Sequence, residues 1–323
     1  MKAIVVYQPG GPENFVMEER ALPTPGDGQV LVKVKAFGLN RSELMTRKGL
    51  SPGVQFPRVL GIECVGEVVT DPSGEFKPRQ KVAAFMGEMG RAYDGSYAEY
   101  TVLPKNILIP FESPLPWELL GATPEMFQTV YGSLHIALKI KKGESLLIRG
   151  GTSSIGLLAA QLAKNAGLTV ISTTRKPESK GALLHNGANE VLIDDGNLSG
   201  QLKALFPAGV NHVLELVGVS NLKDSLQCAA VGGSVCMTGM LSEQWSVADF
   251  APMEFIPAAV NLTVYDSGQI RISKEHFQTF LNDIEAGSVK PKIGRVFKLN
   301  EITDAHRLMD SNAAGGKIVM VTD

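Results

Sequence analysis

The residues with the most chemical content lie in one stretch, "RGGTSSIGLLAAQLAK", which runs from Arg149 to Lys164. The preceding "SLLI" has strand character, and after the loop Ile155, Leu158, Ala159, Leu162 and Ala166 recur at helical spacing. Strand, tight turn and helix therefore follow one another. A helix N-terminus presents unpaired backbone N–H groups and a partial positive charge, so an anion over Ser153, Ser154, Ile155 and Gly156 is held by backbone alone. Gly150 and Gly151 serve the turn, Gly156 lets helix and strand approach, and Ser153 need only be small, while its hydroxyl adds a donor. In isolation such a turn could equally bind nothing. Within a run of strand–helix units it predicts a pyrophosphate site for a dinucleotide. The next strand ends "VISTTRKPESK". Domains that select NAD place an acid about 20 residues beyond the glycine loop, where it bonds the ribose hydroxyls. Here Thr174 holds that place, followed by Arg175, Lys176 and Lys180. Cations without an acid suit a 2'-phosphate met by charge-assisted hydrogen bonds, which predicts NADP(H) as the cofactor. For Lys176 a solvated basic loop is the competing reading.

These residues need a scaffold. From Ser145 onward short apolar strands alternate with helices, with strand cores at Leu146 to Ile148, Thr169 to Ser172, Val191 to Ile193, Val213 to Val217, Ser234 to Met237 and Leu262 to Tyr265. That alternation predicts an α/β domain with a doubly wound parallel sheet of Rossmann type over residues 122–265. Residues 1–121 are mostly β. "QVLVKVKAFGL" alternates Val30, Val32, Val34 and Ala36 against polar neighbours, and "PTPGDG" and "DPSGEFKP" supply turns, while "PLPWELLGATPEMFQTVYGSLHIALKI" is largely helical. Beyond Ser267 a helix with Phe277, Phe280, Leu281 and Ile284 on one face leads to "RVFKL" and "KIVMV", which flank the small helix "EITDAHRLM". A parallel sheet has no place for that tail. Residues 266–323 are therefore expected to rejoin the first domain, leaving the nucleotide domain inserted, with a cleft between the two.

Composition bounds the function. The 323 residues exceed the ~100 to 200 typical of one domain, which favours two. A formal net charge of −2 gives no basic excess for neutralising phosphates, and there is no basic, aromatic-rich patch, so nucleic acid is not an expected partner. Cys64, Cys228 and Cys236 are too few and scattered for a disulfide framework and read as small core residues in a reducing compartment. "MKAIVVYQPGG" fits neither a signal peptide nor a membrane helix, and a cytoplasmic location is expected.

The chain also carries a family resemblance. "RGGTSSIGLLAAQLAKNAGLTVISTTR" resembles the AxxGxxG loop of the medium-chain dehydrogenase/reductase superfamily, in its zinc-independent quinone oxidoreductase branch. "MKAIVVYQPGGPE", "GLNRSELMTRKG", "LGIECVGEV", "DGSYAEYTVLP", "FQTVYGSL" and "GGKIVMV" agree with it, so that the likeness spans essentially the whole chain. It implies a GroES-like, mostly β domain split in sequence around the Rossmann domain. It implies that Asn40 and Thr129 line the nicotinamide pocket, with both cofactor-binding and catalytic roles, and that Tyr97 stands near it. A structural bonding role for Asn40 and a packed strand aromatic for Tyr97 are the alternatives. Arg175 and Lys180 match positions that contact the 2'-phosphate in relatives, and Gly239 and Lys317 are further carried over as cofactor-binding. Glu43 and Arg47, close to Asn40, are equally explained as an i,i+4 pair on a helix surface.

Superfamily members that oxidise alcohols hold a catalytic zinc with a Cys where this chain has Asn40 and a His where it has Ile62. Neither residue supplies a thiolate or imidazole, the four-cysteine structural loop is absent, and no two of the five histidines lie at a ligand spacing with a third partner. No metal is expected. Without a Lewis acid an alcohol lacks the means to become an alkoxide at neutral pH, whereas an electrophilic acceptor needs only orientation and a few donors for its oxyanion. The expected partner is a small electrophilic molecule, a quinone or an α,β-unsaturated carbonyl, reduced by hydride from NADPH. Tyrosines that often line the cleft in relatives are replaced by Met45 and "GLSPG", which weakens the case for quinones in particular and suits an apolar, bulky acceptor. It also weighs against the related enoyl-thioester reductases, which remain an alternative, as does a cofactor-binding but non-catalytic, crystallin-like protein. A homodimer is expected through the sheet edge at "NLTVYD".

Overall fold

The computed structural model describes residues 1–322 and divides into two compact units: Met1–Phe127 with Ser273–Ala286 and residues 291–322, and Gln128–Ile272 with Gly287–Lys290. The first unit begins with strands β1 (Lys2–Val6), β2 (Phe15–Glu19), β3 (Gln29–Gly38), β4 (Arg58–Val59), β5 (Glu63–Thr70), β6 (Lys81–Phe85), β7 (Tyr100–Pro104) and β8 (Leu108–Pro110). The second unit holds β9 (Ser145–Arg149), β10 (Thr169–Thr174), β11 (Glu190–Ile193), β12 (Val210–Glu215), β13 (Ala229–Met237) and β14 (Asn261–Val264). Strands β15 (Ile293–Lys298) and β16 (Lys317–Val321) return to the first unit.

In the first unit β3 is the hub. Its buried Val30, Val32, Val34 and Ala36 are the alternating residues of the sequence pattern. Its sheet runs β15-β16-β3-β5-β6-β8, with β7 also paired to β3, and β16 docks antiparallel so that Val319 faces Gly38. The tail therefore rejoins the first unit. β1, β2 and β4 form a smaller sheet. The helix Lys274–Glu285 buries Phe277, Phe280, Leu281 and Ile284, and Phe280 stacks on Phe127 at 4.1 Å between ring centroids.

The second unit is a six-stranded all-parallel sheet in the order β11-β10-β9-β12-β13-β14. This is the doubly wound order, in which direction reverses between the first strand and the fourth. Leu147, Ile171, Val210, Val213 and Val235 form a core with Leu198, Leu202, Leu222 and Leu226 from the covering helices. Two strands depart most from the sequence pattern. β12 starts at Val210 and stops at Glu215, because the Glu215 carboxylate takes the N–H groups of Val217 at 2.6 Å and Gly218 at 3.0 Å and turns the chain. β13 starts at Ala229, since Val210 pairs with Ala229 across a bulge that the pattern "AAVGG" does not announce. The three cysteines are buried and free. No helix among the described residues is long and apolar enough to cross a membrane.

Candidate functional site

In the second unit β9 ends at Arg149 and the helix Ser154–Asn165 begins five residues later. Gly150 makes that turn with φ +94°, a conformation L side chains rarely adopt, and a Cβ on Gly156 would lie 2.6 Å from the Gly150 carbonyl oxygen. Ser153 caps the helix. Its Oγ accepts from the Gly156 N–H at 3.0 Å and donates to the Gly150 carbonyl at 2.8 Å. Gly156 is thus already capped, which leaves the first-turn N–H groups of Ser154 and Ile155 for an anion. Gly239 approaches the same end of the sheet, where its N–H donates to the Glu215 carbonyl at 3.1 Å. Thr129 is half-buried in the helix Pro124–Tyr131.

The loop after β10 starts from Thr174, whose hydroxyl is used internally: it accepts from the Lys176 N–H at 3.0 Å. Arg175, Lys176 and Lys180 are exposed, and neither Arg175 nor Lys180 is ion-paired among the described residues. The opposite holds for Arg149, 1% exposed. Its guanidinium binds both oxygens of Asp194 at 2.7 and 2.8 Å, Asp224 at 2.8 Å and the Ser225 hydroxyl at 3.0 Å. This network ties the strand that feeds the glycine loop to the end of β11 and to the helix Val219–Gln227. Burial raises the Glu215 carboxyl above the usual range, opposed by its bonds to Ser225 and Gly218. A cap free at two N–H groups, a glycine turn and an unpaired basic loop together fit a phosphorylated dinucleotide.

In the first unit Asn40 caps the helix Arg41–Arg47, and the segment around it is dense with charge. Lys317 Nζ lies 2.8 Å from Glu63 Oε1 and donates to Asn40 Oδ1 at 2.5 Å, while Asn40 Nδ2 donates to the same Glu63 oxygen at 2.8 Å. The other Glu63 oxygen accepts from the Glu125 N–H at 2.8 Å. Lys317 is buried against these partners rather than exposed. The structure overturns the surface-pair reading of Glu43 and Arg47. Both are buried and they do not pair: Glu43 accepts from the N–H groups of Asn40 and Ile62, each at 3.1 Å, and Arg47 binds Asp310 and the Gly10 carbonyl. Each finds a backbone or acidic partner that a surface position would not supply. Burial pushes the Glu43 carboxyl up to about 8, opposed by the Ile62 N–H and helped by nearby Glu63.

Tyr97 is fully buried, stacked on Phe37 with centroids 4.9 Å apart, and its hydroxyl meets His306 Nε2 at 2.9 Å. Burial and the charge of Arg47 hold the His306 imidazole down at about 3, so it is neutral at ordinary pH. Met45 is buried as well. The two positions at which the family resemblance would call for zinc ligands in an alcohol-oxidising member hold an amide and a sec-butyl side chain, Asn40 and Ile62. Among the described residues no group of three or more His, Cys, Asp or Glu could hold a metal ion.

The sequence reading missed Glu63 and weighed Glu43 only against a surface pair with Arg47. A signal was present. Glu63 interrupts the apolar run "LGIECV" and Lys317 opens the apolar "KIVMV", two lone charges of opposite sign in buried strands, and such charges need a partner.

Comparison with known proteins agrees over both units. The alcohol dehydrogenase GroES-like domain matches residues 26–113 and the zinc-binding dehydrogenase family matches residues 186–320. The quinone oxidoreductase of Rattus norvegicus is 29% identical over 333 residues, covering 99% of this chain and 98% of its own. The solved quinone oxidoreductase of Pseudomonas syringae pv. Tomato DC3000 superposes with a TM-score of 0.88 at 25% identity, over 99% of each chain. A mycobacterial protein solved in complex with NADPH gives the same TM-score, identity and coverage. With a GroES-like domain, an all-parallel Rossmann-type sheet and relatives matched end to end, the chain belongs to the medium-chain dehydrogenase/reductase superfamily of oxidoreductases, among the quinone oxidoreductase-like proteins.

Proposed function

We propose that the protein is a zinc-independent, NADPH-dependent oxidoreductase that reduces quinones or α,β-unsaturated carbonyls. NADPH, when bound, supplies the hydride. The residues that would hold it are the N–H groups of Ser154 and Ile155 at the pyrophosphate and Arg175 with Lys180 at the 2'-phosphate. The observation that carries the reading is the donor set around Asn40: an ammonium, a carboxylate and an amide bonded to one another, with no thiolate or imidazole to hold a Lewis acid. Such a set can orient an acceptor and meet a developing negative charge, but it cannot make an alkoxide from an alcohol. The acceptor takes the hydride, and water supplies the proton that completes a hydroquinone or a saturated carbonyl. The test is NADPH consumption against a panel of quinones, enones and simple alcohols, with NADH in parallel. Turnover of the first two classes and inert alcohols are expected. NADP-dependent alcohol oxidation at a matching rate would overturn the reading, and NADPH binding without turnover on any acceptor would favour the non-catalytic alternative.

We also propose a homodimer through β14. This strand ends the sheet, and Val264 on it is 64% exposed. Pairing two such edges would satisfy their open N–H and C=O groups. Sedimentation at micromolar concentration is expected to give twice the chain mass, and a monomer would refute it.

A further inference from the structure

Glu63 opens β5 and Lys317 opens β16, and β3 lies between these two strands as their common antiparallel neighbour. This topology brings both charges to the Gly38–Asn40 end of β3. The approach depends on Gly38, since a Cβ there would lie 2.6 Å from Glu63 Oε1 and 2.9 Å from Lys317 Nζ. Asn40 is then bonded at both ends of its amide by groups of opposite charge. Its oxygen accepts from the ammonium at 2.5 Å and its nitrogen donates to the carboxylate at 2.8 Å. Turning the amide over would set oxygen against carboxylate and NH2 against ammonium, so a single orientation survives. In that orientation one Nδ2 hydrogen serves Glu63. The nearest acceptor for the second is the Gly38 carbonyl at 3.5 Å, too long for a strong bond.

We propose that Lys317 and Glu63 are positioning residues that fix the Asn40 amide in this orientation, and that its second Nδ2 hydrogen binds the carbonyl oxygen of the acceptor as negative charge builds there. The inference rests on the reductase reading above. Hydride addition to a quinone or enone places that charge on the acceptor's oxygen, and an amide N–H held in place before the reaction stabilises it without reorganising. Asn40 is the catalytic residue in this scheme. Lys317 acts through Asn40 instead of contacting the cofactor.

The test is the double variant Lys317→Met/Glu63→Gln, which removes both charges together and leaves neither uncompensated. NADPH affinity, kcat and KM, and the Asn40 side-chain amide signals in nitrogen-correlated NMR, assigned by their loss in Asn40→Ser, are compared with the wild type. Expected are an NADPH Kd within twofold, a kcat at least tenfold lower, and amide signals that are sharp and slow to exchange in the wild type but broadened in the variant. A kcat within threefold of wild type, an NADPH Kd weakened tenfold or more, or unchanged amide signals would each overturn the proposal. If the double variant fails to fold, Gly38→Ala takes its place with the same readouts, since it drives the pair apart while keeping both charges. If the wild type turns over none of the quinones or enones, the reductase reading fails by itself, and an averaged Asn40 amide in the wild type would separately sink the positioning role.

Discussion

Arg175 and Lys180 stand exposed in the loop after β10 without a paired carboxylate among the described residues, whereas Lys317 is 3% exposed and bonded to both Glu63 and Asn40. The three cations belong to one protein, yet their settings give them different work. A cation left in water without a protein partner keeps its hydrogen-bonding capacity for an incoming anion, and its loss shows up in binding. A cation buried against its own carboxylate has already used that capacity, and its loss shows up in stability and in whatever the pair holds in place.

The comparison is tested hardest at Glu43, next to the buried pair. Its folded pKa of about 8 lies above the ordinary 4.5. The folded protein therefore holds a proton that the unfolded chain releases, so this group's contribution is complete below pH 4.5 and is lost as pH rises to about 8. At ~1.4 kcal/mol per unit the loss is at most about 5 kcal/mol. Glu43→Gln does not titrate. Urea unfolding from pH 5 to 9 is expected to show the variant gaining on the wild type as pH rises, beneath a constant offset because its NH2 faces one of two N–H donors. Parallel curves would mean that Glu43 is ionised throughout.

Next in size is Lys317→Met alone, which strands the Glu63 carboxylate in the interior with Asn40 Nδ2 and the Glu125 N–H as its remaining donors among the described residues. Breaking one side of a buried pair costs about 3–5 kcal/mol, and adding Glu63→Gln should restore most of it. Additive losses in the double variant would show that the two charges do not depend on each other. The exposed loop behaves otherwise. Arg175→Ala or Lys180→Ala should leave unfolding unchanged within ~0.5 kcal/mol while weakening NADPH binding by roughly tenfold to a hundredfold, the ~1.5 to 3 kcal/mol of one charged hydrogen bond. NADH affinity should barely move. Equal loss for both cofactors, or wild-type protein that binds NADH as tightly as NADPH, would remove the 2'-phosphate from this loop.

How much of this could be read in advance follows from the range of the interactions. The glycine turn, the helix that begins at Ser154 and the strand–helix alternation are local, and their periodicities stand in the sequence. So did the return of the tail, because "KIVMV" has a strand pattern but no place in a parallel sheet. The pairing of Glu63 with Lys317 joins residues 254 positions apart through two different neighbours of β3, and only the register of the folded sheet reveals it. Glu43 and Arg47 show the same limit: their i,i+4 spacing is real, but Arg47 is taken by Asp310 and Glu43 by the N–H groups of Asn40 and Ile62. The chain end of β12 was misplaced because Glu215 folds back on its own backbone, a bond that hydrophobic pattern does not register.

The smallest effect is expected at Tyr97, where the first unit's interior meets the catalytic question directly. Tyr97→Phe removes one hydroxyl and keeps the ring that stacks on Phe37 at 4.9 Å. His306 then loses its partner at Nε2, and its Nδ1 already has none among the described residues. Leaving a buried ring nitrogen unsatisfied costs about 1–3 kcal/mol, so the unfolding free energy should fall by an amount in that range. His306 titrates at about 3 in the folded protein, far below its ordinary 6.5, so the stability it contributes is full above pH 6.5 and is lost as pH falls toward 3. The cost of Tyr97→Phe, measured above pH 6.5, should therefore not vary with pH. A hydroxyl bonded to His306 inside the core has no acceptor to serve, so kcat and KM should stay within twofold of wild type. A tenfold fall in kcat with unchanged stability would place Tyr97 against the acceptor after all, and the division between buried groups that position and exposed groups that bind would fail at this residue.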